Sequence, residues 1–184
     1  TGTYAAAVRL SELGYFIPVI IGNSIQPILT RGHAESTTPH QLYKKYIRYS
    51  ALGAYAIAIP TSILAPWVTH LTYGAQYTGT ETILSIHAWA IIFVCLGVAR
   101  SQYLVNMGLT RFSLQCTAIG ALANIGLNWW LIPKHGGLGA AVATVVSYAT
   151  SAWLMSFASP QVRQIGWMQT KALVWPFLFW SKRC

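Results

Sequence analysis

Five stretches of this sequence contain no Asp, Glu, Lys or Arg: residues 13–30, 49–80, 82–99, 112–133 and 136–162. A water-facing surface needs charge, and soluble domains carry roughly a quarter charged residues. Here the charged share is 8 %, the apolar share 54 % and the mean hydropathy +0.47. A helix of about 20 apolar residues crosses the hydrocarbon core of a bilayer, where backbone groups must be satisfied within the segment itself. Barrel strands would alternate over about ten residues, unlike these continuous runs. The pattern predicts an all-α membrane protein with five transmembrane helices, at about 3–30, 49–72, 82–105, 112–132 and 137–157. Pro60, Pro66 and Gly74 divide the second run into one span and a loop. The spans fill residues 1–158, and 159–184 reads as a cytoplasmic tail. Its apolar piece "ALVWPFLFW" (172–180) is too short to span and suits the membrane interface.

The basic residues give the orientation. Arg31, Lys44, Lys45, Arg48, Arg100, Arg111, Arg163, Lys171, Lys182 and Arg183 fall at one face, against Arg9 and Lys134 at the other. Basic residues collect on the cytoplasmic side, so the N-terminus is expected outside and the C-terminus in the cytoplasm. The net charge of +9 is then a topology signal. Nucleic acid would need a basic stripe on a folded surface, and no such partner is expected. The chain also enters its first span almost at once, without a signal-peptide pattern, and reads as the C-terminal piece of something longer.

Enzyme chemistry finds no constellation. There is no Asp, and Glu12, Glu35 and Glu81 are far apart in sequence. No glycine-rich phosphate loop precedes a helix, the three cysteines lack metal-ligand spacing, and no cofactor is expected. Cys95 and Cys116 read as small apolar fillers. His33, His40 and His135 fall in expected loops and His70 near a span end, while His87 lies inside the third span as a hydrogen-bonded interior residue or a proton-sensitive group.

Within the spans, Gly120, Asn124 and Asn128 recur every four residues and share a face. Ala140, Ala143, Thr144, Ser147 and Ser151 form a small-residue stripe. Such stripes let helices approach closely, and Asn can hydrogen-bond across the contact or line a polar cavity. Arg9 and Glu12 interrupt the first span three residues apart, so they too share a face. Arg9 lies roughly 9 Å from the outer end of that helix at about 1.5 Å per residue. Its stem can carry the guanidinium to the interface, and a pair costs less in lipid than a lone charge.

Three blocks, "YAAAVRLSELGYFIPVIIGNSIQP", "WAIIFVCLGVARSQYLV" and "NIGLNWWLIPKHGGLGAAVAT", resemble in that order the bacterial polysaccharide flippases. These belong to the multidrug/oligosaccharidyl-lipid/polysaccharide exporter superfamily. The resemblance covers residues 1 to about 155. It implies a twelve-helix transporter of two six-helix lobes working by alternating access, of which this chain is a partial second lobe, the eighth through twelfth helices. The implied function is translocation of a polyprenyl-diphosphate-linked oligosaccharide across the bacterial inner membrane for polysaccharide biosynthesis. The implied partners are the lipid bilayer, the lipid-linked oligosaccharide and the missing N-terminal lobe. Under this likeness Arg9 would meet the diphosphate, for which a planar guanidinium fork is suited, with Glu12 holding it. Asn124 and Asn128 would line the cavity, and Arg100 and Gln102 invite a weaker argument of the same kind, because snorkelling to the cytoplasmic interface also explains Arg100. Two alternatives stand beside this reading. One is a truncated, transport-inactive membrane protein; the other is a fragment of a cation-coupled drug exporter, for which Glu12 is the one available membrane carboxylate.

Overall fold

The computed structural model of the protein describes residues 2–34, 39–74, 77 and 79–181, and the regular structure among them is helical. The helices are α1 (Gly2–Glu12), α2 (Phe16–Ala34), α3 (Pro39–Tyr73), α4 (Thr80–His87), α5 (Ala90–Asn106), α6 (Thr110–Ala152) and α7 (Arg163–Ser181). Glu35, Lys182, Arg183 and Cys184 lie outside the described residues.

Four described stretches are long and apolar enough to cross a membrane: Gly2–Arg31, His40–Tyr73, Thr80–Asn106 and Thr110–Phe157. The last has 48 residues; as a straight helix it would run about 72 Å, over twice the hydrocarbon core. It doubles back at Gly136, whose φ of 56° and ψ of −131° place it in territory open essentially to glycine. Across the bend, a β-carbon at Gly120 would lie 2.6 Å from Ser151 Cβ, and one at Gly139 would strike the Leu131 carbonyl. The two arms, 110–135 and 137–152, are therefore an antiparallel pair in close contact. Among the described residues, four to five helices are therefore long and apolar enough to cross a membrane, depending on whether the arms of α6 count as one or two.

Proline and glycine explain the other irregularities. Pro18 has no N–H for the Gly14 carbonyl, and there the chain tightens into a 3-10 turn, Leu13–Tyr15, joining α1 to α2. Gly14 at this hitch sits against Ile91 and Ile57. The α5 end is a Schellman turn: Gly108 takes φ 69°, while Leu109 N–H bonds the Leu104 carbonyl (2.8 Å) and Gly108 N–H the Val105 carbonyl (3.0 Å).

Two apolar clusters hold the bundle. The larger joins α2, α3, α5 and α7 through Leu29, Ile47, Leu96 and Ile165. The smaller joins α1, α3, α4 and α6 through Ala7, Ala65, Leu84 and Ala141. Outward, Ile63, Trp67, Leu114, Leu122 and Trp129 are 66–85 % exposed, as side chains facing lipid must be.

Two expectations change. His33, His40 and His135 belong to helices, because α2, α3 and the first arm of α6 continue through charged residues that end an apolar run but not a helix. The piece 172–180 is the second half of the 19-residue α7. Val162, just before α7, and Ile165, Met168 and Ala172 within it are buried against the larger cluster. Gln169, fully buried, ties this helix to its neighbours: its amide donates to the Leu96 (3.1 Å) and Ala152 (2.9 Å) carbonyls and accepts from Ser156 (2.9 Å). Ala152 ends α6, so its carbonyl is one that the helix itself leaves unpaired.

Candidate functional site

A cavity of about 380 Å³ opens between α1, α4 and the two arms of α6. Its polar lining includes Tyr4, Glu12, His87, Asn124, Thr144 and Tyr148. Each comes from a local rule. Tyr4, Val8 and Glu12 recur every four residues and so share one side of α1. On α6, Gly120 and Asn124 meet Thr144, Ser147, Tyr148 and Ser151 across the bend, which the absent side chain of Gly120 allows.

Hydrogen bonds fix the walls. Tyr4 Oη and Thr144 Oγ1 are 3.4 Å apart, and Asn128 donates to Asn124 Oδ1 at 2.9 Å. Ser11 Oγ lies 2.9 Å from the Val8 carbonyl and 2.7 Å from His87 Nδ1, and the imidazole tautomer sets which of the serine and the ring donates in the second contact. His87 is 1 % exposed, with its ring edge-on to Tyr4 at 6.4 Å.

The six sequence candidates separate. Glu12 and Asn124 meet at the cavity; Arg9, Asn128, Arg100 and Gln102 are not in its lining. Arg9 and Glu12 are both exposed, and no ion pair joins them among the described residues. Asn128 supports Asn124 from one turn away, and its own Oδ1 is buried without a partner among the described residues. Arg100 does not reach for an interface: it is 4 % exposed, and Nη1 donates to the Ser151 carbonyl in the last turn of α6. A cation there meets orphan carbonyls and the negative end of the helix dipole. Gln102 packs beside Gly22, where α2 crosses α5 closely.

Sequence reading missed Tyr4, Tyr148 and the Ser11–His87 bond. The four-residue spacing of Tyr4, Val8 and Glu12 was visible; the partner helices were not. It also missed Asn106, whose amide donates to Tyr43 Oη (2.6 Å) and accepts from Gln26 (3.2 Å) and Thr30 (3.1 Å), joining α2, α3 and α5.

Among the described residues no three of His, Cys, Asp and Glu gather to hold a metal ion. The cavity offers hydroxyls, an amide, an imidazole and one carboxylate, which suit a hydroxyl-rich ligand through hydrogen bonds.

Fold and cavity together define an all-helical, multi-pass membrane protein. The chain is similar to the probable low-salt glycan biosynthesis flippase Agl15 of Haloferax volcanii, at 25 % identity over 94 % of this chain and 39 % of that protein. It is also similar to the uncharacterized membrane protein YabM of Bacillus subtilis, at 29 % identity over 91 % of this chain and 31 % of that protein. A third relative, the membrane protein MJ1068 of Methanocaldococcus jannaschii, is 27 % identical over 58 % of this chain and 22 % of its own length. The chain thus spans between about a fifth and two fifths of the curated relatives it matches. No protein-family model and no solved structure matches it. The three relatives support kinship with a group of membrane proteins that includes a named flippase.

Proposed function

We propose that this chain forms part of a flippase that carries a polyprenyl-diphosphate-linked oligosaccharide across the plasma (inner) membrane for polysaccharide biosynthesis. It would do so as a partial second lobe of an alternating-access transporter of the polysaccharide-flippase kind. The observation that carries the reading is the polar cavity, built from Glu12, Asn124 and hydroxyl-bearing side chains inside a bundle whose outer surface is apolar. Polar groups at membrane depth are costly and mark a substrate path. Likeness to Agl15 over nearly the whole chain supports a glycan as the cargo.

Transport sites lie between repeats near the bilayer midplane, so the remaining part of the cavity would come from a first lobe. Glu12 and Asn124 would bind sugar hydroxyls. Arg9, exposed one turn before Glu12, would offer a cation to the diphosphate. The basic start of α3, the end of α5 and α7 would face the cytoplasm, leaving Lys134 and the start of α1 outside. The role is transport and not catalysis.

Deleting the gene in its host and measuring the sidedness of the lipid-linked oligosaccharide tests the reading. Accumulation on the cytoplasmic face, reversed by the wild-type gene and not by a Glu12→Gln/Asn124→Ala double variant at equal membrane level, is the expected result. Unchanged sidedness on deletion would overturn it.

A further inference from the structure

The protein has a second, larger cleft, of about 830 Å³, between the first turns of α3 and the face of α7. His40, Lys44 and Arg48 recur every four residues along α3 and line one wall, and Lys171 lines the other. Among the described residues no carboxylate lines it, in a chain that has only three. Its floor is apolar and aromatic, with Trp167, Met168 and Trp175.

From this arrangement we infer that the cleft is a binding site for an anionic glycerophospholipid, with the lipid phosphate held between Lys44, Arg48 and Lys171. Three independent observations carry it. The first is position. At 35 residues, α3 is about 52 Å long, against a hydrocarbon core of about 30 Å, so it overruns the core. The apolar run begins at residue 49, which leaves residues 40–48 at headgroup depth.

The second is the state of Arg48. Its guanidinium carbon lies 3.2 Å from the Trp175 ring centroid. A guanidinium held over an aromatic face keeps its edge N–H groups available to an oxygen ligand. Arg48 Nε is buried and has no hydrogen-bond partner among the described residues, a donor that a phosphate oxygen would satisfy.

The third is the pairing of surfaces. Cations on the walls and tryptophans on the floor match a phosphate joined to glycerol and the first acyl carbons; a free anion would leave the aromatic floor bare. Lys44 and Lys171 are exposed, and neither forms an ion pair among the described residues. The inference requires only that the chain is a membrane protein and is independent of the cargo proposed above.

The test is native mass spectrometry of the full protein in detergent, titrated separately with phosphatidylglycerol and phosphatidylcholine. Retention of phosphatidylglycerol well above phosphatidylcholine is expected. Lys44→Gln and Lys171→Gln should each lower it about fivefold, the effect of one cation near an anionic membrane surface. The control is Lys134→Gln, at the end of the bundle where Tyr4 and Ile83 approach Gly137; it should leave retention unchanged. Equal retention of the two lipids, or an equal loss in the control, would overturn the site. Displacement of the lipid by inorganic phosphate at a concentration no higher than the lipid's would also overturn it, because the ligand would then be the anion and not the lipid.

Discussion

Ser62 and Ser85 exchange hydrogen bonds between α3 and α4, each hydroxyl donating to the other's backbone carbonyl, at 3.0 and 3.1 Å. Both carbonyls have lost their helical donors. Pro66, four residues after Ser62, has no N–H, and the Trp89 N–H that would serve Ser85 turns to Ile86 (3.2 Å) where α4 breaks. Without water in the bilayer, such carbonyls need another partner. Ser85→Ala is expected to destabilise the protein by about 1 kcal/mol, read from unfolding in mixed detergent micelles. In a Pro66→Ala background, which restores the N–H to Ser62, the same substitution should cost measurably less. An equal cost in both backgrounds would show that the proline is not the reason for the bond.

Close approach at Gly120 is a separate requirement. A β-carbon there would lie 2.6 Å from Ser151 Cβ and 3.3 Å from the Ser147 carbonyl, so Gly120→Ala must push the arms of α6 apart. Overpacking of this kind costs about 1–3 kcal/mol. Adding Ser151→Gly removes the opposing atoms and should recover part of the loss in thermal stability. Absence of any recovery would mean that the backbone at Ser147, and not the Ser151 side chain, limits the approach.

The all-helical class is legible in the sequence because a bilayer demands long apolar helices, and the gap between residues 133 and 136 marks the α6 bend even though the helical hydrogen-bond pattern runs nearly through it. The small-residue face of Gly120 and Ser147 could be read from spacing, and the arms pack on it. The site is less legible. Arg9 and Glu12 share a helix face by arithmetic, but the face that meets α6 is the one bearing Tyr4, Val8 and Glu12, and only packing decides between them. Arg100 shows the same limit. An arginine near the end of a span looks like an interfacial anchor until the end of another helix, Ser151 on α6, is brought to it. Gln169 and Asn106 carry no local pattern, since each is defined by carbonyls or hydroxyls from two other helices.

Arg100 should behave as a structural cation. Its guanidinium bonds the Ser151 carbonyl, and the residue is 4 % exposed. Arg100→Met keeps the volume and leaves the Ser151 carbonyl without that donor, a loss of about 1–3 kcal/mol. A lysine offers a point charge in place of a fixed fork and should rescue only part of it. Thermal unfolding of the two variants beside wild type checks both statements. Full stability in Arg100→Met would remove the capping role.

Arg9 should show the opposite pattern. It is exposed and outside the cavity lining, so Arg9→Gln is expected to leave thermal stability within about 0.5 kcal/mol of wild type, the usual range for a surface change. If the diphosphate of the cargo meets this residue, transport falls nonetheless. The loss of one charge-assisted contact to a phosphate, worth about 1.5–3 kcal/mol, corresponds to a fall of at least tenfold. Arg9→Lys then discriminates between charge and geometry: a bidentate contact demands the planar fork, and lysine should recover less than half of the lost rate. The measurement is the rate of lipid-linked oligosaccharide transfer in vesicles containing the full transporter, at matched protein level. Wild-type rates in Arg9→Gln would confine Arg9 to the membrane interface and leave recognition of the cargo to the cavity formed by Glu12 and Asn124.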